Sequence, residues 1–146
     1  MADPLSITAS IVAVLQITAT VTKYLKDVRG GSEDRIRLRD EMRSTVCLLE
    51  MLKDRVDDPD TRDIYFNEVG LLNAPNGPLI QLRKTLELLV EKLVPGSRIQ
   101  QIAKALKWPF DKTEINEILG TIERLKSLFS LAMQNDHMYV ILCIFD

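Results

Sequence analysis

The stretch LSITASIVAVLQITATVT, Leu5 to Thr22, decides the fold. Read as strand, it would pull the chain toward a mixed architecture; read as helix, it completes an all-helical one. Seven of its residues are Ser, Thr or Gln, and many of the rest are β-branched, which suits a strand. Three features outweigh that. Asp3 stands as an N-cap with Pro4 at the first helical position. Ile7, Ile11, Val14, Thr18, Val21, Leu25 and Val28 recur at 4-3-4-3-4-3 spacing, the period of one helix face. Lys26, Arg29 and then Gly30-Gly31 form a C-terminal stop. The reading is a helix over 4–29.

The same spacing recurs outward from this segment. Ser32 opens a helix over 32–57, with Glu33 and Asp34 in the turn where the helix dipole favours acids, and with Leu38, Met42, Thr45, Leu49, Leu52 and Val56 on one face. Residues 58–77 hold Pro59, Gly70, Pro75 and Gly77 around an apolar patch, Ile64, Tyr65, Phe66 and Val69, and read as a long loop with one short helical piece. Asn76-Gly77-Pro78 starts a third helix over 78–94, with Leu79, Leu82, Leu86, Leu89 and Leu93 in register. Ser97 caps a short helix carrying Ile99, Ile102, Ala103 and Leu106, which Trp108-Pro109-Phe110 breaks. Asp111, three residues before Glu114, caps a last helix from 112 to at least 135, with Ile115, Ile118, Ile122, Leu125, Phe129 and Ala132 inward. The expectation is an all-α bundle of four main helices plus short connecting helices, with Leu49, Leu86, Ile122 and Phe129 in its core. It spans 1–137; 138–146 is an apolar tail expected to continue the last helix.

Composition narrows the function. The chain has 146 residues, 46% hydrophobic and 27% charged, as in ordinary globular domains. A net charge of −2 disfavours nucleic acid as a partner. Cys47 and Cys143 lie too far apart for a zinc motif or a disulfide framework, which points to a reducing compartment. Cys47, beside Leu48 and Leu49, reads as a small hydrophobe of the core. Gly30-Gly31-Ser32 lacks the spacing and lysine of a phosphate loop. Asp40 and Glu41 sit among arginines, as on a solvated ion-pair face. No catalytic, cofactor or metal residues are assigned, and the expectation is a protein that is not an enzyme.

Two features stand out. The first is the lack of charge from Leu5 to Thr22. A secretory signal would begin with basic residues, whereas here the early charge is Asp3. Eighteen helical residues reach roughly 27 Å against a bilayer core of about 30 Å, which disfavours a permanent span and leaves a conditional one open. The segment is either a central helix, buried on most sides, or one that leaves the bundle for a membrane. The insertion candidates are Leu5, Ile7, Ile11, Val12, Val14, Leu15, Ile17 and Val21. Lys23, Lys26 and Arg29 would then rest at the cytoplasmic surface. The second is the basic, aromatic stretch 97–112. It is either a connector whose Trp packs on the bundle or a surface for anionic lipid, with Lys104, Lys107, Trp108 and Lys112 as the lipid-facing candidates.

Four blocks carry a resemblance. They are MADPLSITASIVAVLQ at 1–16, NGPL at 76–79, ALKWPF at 105–110 and ERLKSLFSLAMQND at 123–136. In this order they resemble the fungal N-terminal domain of STAND proteins, a HeLo-like domain found ahead of NACHT modules and ankyrin or WD repeats in fungal NOD-like receptors. The resemblance implies a helical bundle similar in layout to those of plant resistance proteins and of the necroptosis executioner pseudokinase. It also implies the effector end of an intracellular receptor, tied to membrane-targeted programmed cell death and heterokaryon incompatibility. The implied partners are anionic membrane lipids and, on activation, further copies of the chain; the NACHT and repeat modules of the usual architecture are absent from these residues. The implied location is the cytoplasm, with recruitment to the plasma membrane on activation. The alternative is a non-catalytic adaptor or oligomerisation bundle that never touches a membrane.

Overall fold

The structure is a computed structural model that describes residues 4–28, 30–57, 71–93 and 108–145, with side chains described for 7–28, 30–57, 71–93 and 108–134. Among the described residues the architecture is all-α. The helices are α1 (Pro4–Asp27), α2 (Ser32–Asp57), α3 (Pro78–Leu93) and α4 (Lys112–Phe145). The Asp3 cap, the helical piece and apolar patch expected between 58 and 70, and the short helix expected from Ser97 all lie outside the described residues.

Each helix forms because one face repeats apolar side chains at 3-4 spacing and the opposite faces are charged or small. Those faces meet in one core. Ile7, Ile11, Val14, Val21, Leu25 and Val28 close on Leu38, Met42, Leu49, Leu52 and Val56, and on the five leucines Leu79, Leu82, Leu86, Leu89 and Leu93 of α3. From α4 come Ile115, Leu119, Ile122, Leu125, Phe129, Ala132 and Met133. Ile118, expected in this stripe, is only partly buried, and Leu119 takes the inward position beside it. The two buried hydroxyls in the core faces turn back on their own helices. Thr18 Oγ1 donates to the Val14 carbonyl at 2.8 Å and Thr45 Oγ1 to that of Glu41 at 2.7 Å, so neither is stranded in the core.

The helices stand at the corners of a square. α1 packs on α2 and α3, and α4 packs on α2 and α3; the diagonal pairs have no comparable contact. Hydrogen bonds give the directions. Thr8, early in α1, meets Asp57, the last residue of α2, so this pair is antiparallel. Lys112 with Asp34 and Arg37 with Asn116 set α2 and α4 parallel. Lys92 with Glu114 and Arg124 with Gln81 set α3 and α4 antiparallel. The chain between α2 and α3 therefore joins helices on a diagonal. The α1–α2 connection is tight instead, with Gly30 and Gly31 at φ values of 90° and 56°.

Several local readings change. α1 ends at Asp27 rather than 29. Among the described residues α1 occupies a corner with two helical neighbours, α2 and α3, rather than a central place. Cys47 is exposed, not in the core. It lies two residues beyond Thr45 and two before Leu49, half a turn from the stripe those residues define. Glu41 pairs with Lys126 of α4 at 2.9 Å, each side chain about one-fifth exposed (19%), rather than with a neighbouring arginine.

Candidate functional site

α1 is the element that position and composition single out. Its segment Ile7–Asp27 is long and apolar enough to cross a membrane, and 28% of its most apolar window is buried in the bundle. Core helices of soluble proteins and signal sequences pass the same test, so the seat of the helix matters more than its composition. The inward stripe is Ile7, Ile11, Val14, Thr18, Val21 and Leu25, all buried. The outward face carries Ala9, Gln16, Ala19, Lys23 and Lys26, all exposed. Between them, Val12, Leu15 and Ile17 are half-buried, and Leu15 and Ile17 pack against the core. Of the insertion candidates, then, Ile7, Ile11, Val14 and Val21 face the core, and Val12, Leu15 and Ile17 flank it. The backbone of Leu5 is in α1, but its side chain lies outside the described set.

The polar groups of α1 are largely self-contained. Besides Thr18, Thr20 Oγ1 donates to the Gln16 carbonyl at 3.1 Å, and Thr22 Oγ1 to the Thr18 carbonyl at 2.9 Å. Among the described residues, the side-chain hydrogen bond from α1 to another helix is that of Thr8 Oγ1 to Asp57 at 2.8 Å. The Asp57 carboxylate also takes the Lys53 ammonium at 2.8 Å, which holds its pKa below the ordinary value and raises that of the lysine. Sequence patterning does not reveal this tie, because Thr8 and Asp57 belong to no motif.

The bundle end opposite the α1 N-terminus collects the other named residues. Lys104 and Lys107 lie outside the described residues. Lys112 is exposed, and its ammonium binds Asp34 at 3.0 Å. The hydrogen bond from Lys112 is the main reason that the Asp34 carboxyl sits below its ordinary pKa. Trp108 is half-buried, packs against the core, and meets the ring of Phe110 edge-on at 5.0 Å and 66°. The structure thus brings Trp108 and Lys112 to one end, beside the α1–α2 joint, with Lys23 and Lys26 on the last turns of α1. Asp111 caps α4 by accepting the Glu114 N–H at 2.8 Å, and that bond lowers its pKa.

A polar groove between α2 and α4 is lined by Arg37, Asp40, Glu41, Asn116 and Glu123, with both signs of charge. Among the described residues no group of three or more His, Cys, Asp or Glu side chains is placed to hold a metal ion. No protein-family model matches the chain, and comparison with curated proteins and with solved structures likewise gives no match.

Proposed function

We propose that this chain is a membrane-active signalling effector, the HeLo-like N-terminal domain of a fungal STAND receptor that its sequence resembles. On activation, copies self-associate in the cytoplasm at the plasma membrane, α1 leaves its corner and enters the lipid, and cell death follows. The observation that carries this reading is the seat of α1: a helix without charge as far as Thr22, held on one stripe by two neighbours among the described residues, with Ala9, Gln16 and Ala19 exposed on its outer face.

The exchange of environments is physically balanced. The stripe Ile7, Ile11, Val14 and Val21 is as well buried in hydrocarbon as in the bundle, so its transfer free energy is conserved. The backbone hydrogen bonds and the Thr18, Thr20 and Thr22 back-bonds travel with the helix, which meets the main requirement of the bilayer interior. The chargeless helical residues from Pro4 to Thr22 reach roughly 28 Å, close to the thickness of a bilayer core of about 30 Å. Lys23 and Lys26 would stop at the headgroups, where Lys112 and the basic stretch around Trp108 supply attraction to anionic lipid. The departure of α1 would leave the inward faces of α2 and α3 uncovered, and a second copy is the natural cover.

The adaptor reading rests on a different observation. Ile7, Ile11, Val14 and Val21 are at most 1% exposed, while Leu88 (60%) and Leu131 (52%) offer apolar contacts elsewhere on the surface. A bundle that keeps α1 in place and recruits partners through such side chains needs no lipid. Dye leakage from anionic vesicles separates the two. The membrane reading expects leakage that rises with protein concentration or forced clustering and falls with salt. A clustered wild-type protein that neither binds nor permeabilises such vesicles would transfer the assignment to the adaptor.

A further inference from the structure

We infer that Trp108 is the latch that holds α1 in the bundle, by clamping the glycine joint about which α1 would swing. The inference rests on the reading of α1 as the moving helix and adds how that movement is held in check.

Gly30 and Gly31 both have positive φ, 90° and 56°, conformations that leave only glycine unstrained. They are the joint between α1 and α2, and a helix leaving on one side must rotate about these bonds. The indole of Trp108 lies directly on this joint. A methyl group added to Gly31 would stand 2.4 Å from the indole Cγ, 2.5 Å from Cδ1 and 2.6 Å from Cδ2. The ring thus fills the side of the exposed Gly31 on which a side chain would stand, and a rotation of the joint toward that side needs the ring to move. Two hydrogen bonds also close the joint: the Arg35 guanidinium donates to the Val28 carbonyl, and the Arg35 backbone N–H donates to the Gly31 carbonyl at 2.7 Å. The opposite end of α1 is held by the exposed Thr8–Asp57 hydrogen bond, a weak tie.

The latch is seated without being locked. Trp108 Nε1 is buried and has no hydrogen-bond partner among the described residues. A buried N–H without an acceptor gains a water when the ring swings out, so the closed position carries a built-in cost that favours release. The ring holds by packing on Gly31 and by its edge contact with Phe110, not by a polar anchor.

Hydrogen exchange on the full chain, in solution and without lipid, tests the latch apart from the membrane reading. Trp108→Ala is expected to speed exchange of the α1 amides by roughly tenfold or more while α4 keeps its protection. Trp108→Phe is expected to keep most of the protection of α1, since phenylalanine is smaller and has no N–H but retains an aromatic ring whose Cγ, Cδ1 and Cδ2 can pack on Gly31. Equal acceleration in all four helices, or a phenylalanine variant as open as the alanine one, would overturn the proposal. The chain has a single tryptophan, so the wild type gives a second measure that needs no variant. In urea below the global transition, quenching of Trp108 fluorescence by acrylamide is expected to rise together with α1 exchange. A ring that stays shielded while α1 exchanges freely would equally overturn it. Vesicle leakage measured on the same variants reports on membrane entry alone: a latch that opens without leakage leaves this inference standing and counts against the membrane effector.

Discussion

Gln16→Lys separates the role of α1 in the bundle from its role in a membrane. Gln16 lies on the exposed outer face of α1, and its backbone carbonyl, not its side chain, receives the Thr20 hydroxyl. Lysine there remains in water, keeps good helix propensity and disturbs no packing, so the folded bundle should change by no more than about 0.5 kcal/mol. In an inserted helix the same position lies inside the hydrocarbon. A lysine near the helix centre costs about 2.5–3.5 kcal/mol there. At about 1.4 kcal/mol per factor of ten, the inserted population falls by roughly two orders of magnitude. Thermal melts by circular dichroism should superimpose on wild type while dye leakage from anionic vesicles collapses. Gln16→Leu, equally external, should melt alike and leak at least as well. A folded Gln16→Lys protein that permeabilises vesicles at the wild-type rate would show that α1 does not enter lipid.

Other expectations follow from the packing. Leu86→Ala or Ile122→Ala, each removing a fully buried side chain, should cost about 2–5 kcal/mol in urea unfolding, whereas Leu88→Ala on the exposed face of α3 should be nearly silent. Gly77→Ala should destabilise by about 1–3 kcal/mol, because a methyl group would stand 2.8 Å from the Ala74 carbonyl oxygen and 3.0 Å from that of Leu72. Asp111, Asp34 and Asp57 all have pKa values held below those of the unfolded chain, so the stability they add is present above the unfolded values and lost as pH falls below about 4. The melting temperature should drop on acidification, and Asp111→Asn, which keeps an N-cap acceptor but no charge, should flatten that dependence.

The fold was legible because aliphatic side chains recur at one period in every helix. Leu79, Leu82, Leu86, Leu89 and Leu93 are inward without exception, and Thr18 and Thr45 hold inward positions in their stripes despite their hydroxyls. Errors came where neighbours along the chain were mistaken for neighbours on a face. Cys47 borrowed a core role from Leu48 and Leu49, and Ile118 took the place that Leu119 fills. The site was less legible. Periodicity identifies the inward stripe of α1 but not how many helices cover the rest, and that number separates a central helix from a corner one. Gly30-Gly31 could be read as a helix stop, yet nothing in the chain announces that Trp108, far along the sequence, would lie on Gly31. Such contacts depend on how the corners of the square are assigned, which is a property of the assembled bundle.

That assignment also bears on why a helix without charge over most of its length should sit at a corner. A helix buried on all sides would have to break contacts around its whole circumference before moving, and its loss would open the core from within. α1 gives up one stripe. The helices that remain are not left as isolated pieces, since α4 still packs on both α2 and α3. The connection to α2 already holds two glycines, Gly30 and Gly31. On the proposed reading, stability and mobility fall to different parts of one fold. Phe129, Leu125 and Ile122 hold α4 in the part that stays together. On that reading the cost of releasing α1 is set by its inward stripe with the flanking Leu15 and Ile17, the Thr8–Asp57 bond, and the packing of Trp108 on Gly31 beside the Arg35–Val28 hydrogen bond. Substitutions at the second and third of these should tune membrane activity with little effect on the stability of α2, α3 and α4, and substitutions in the α4 core should do the reverse.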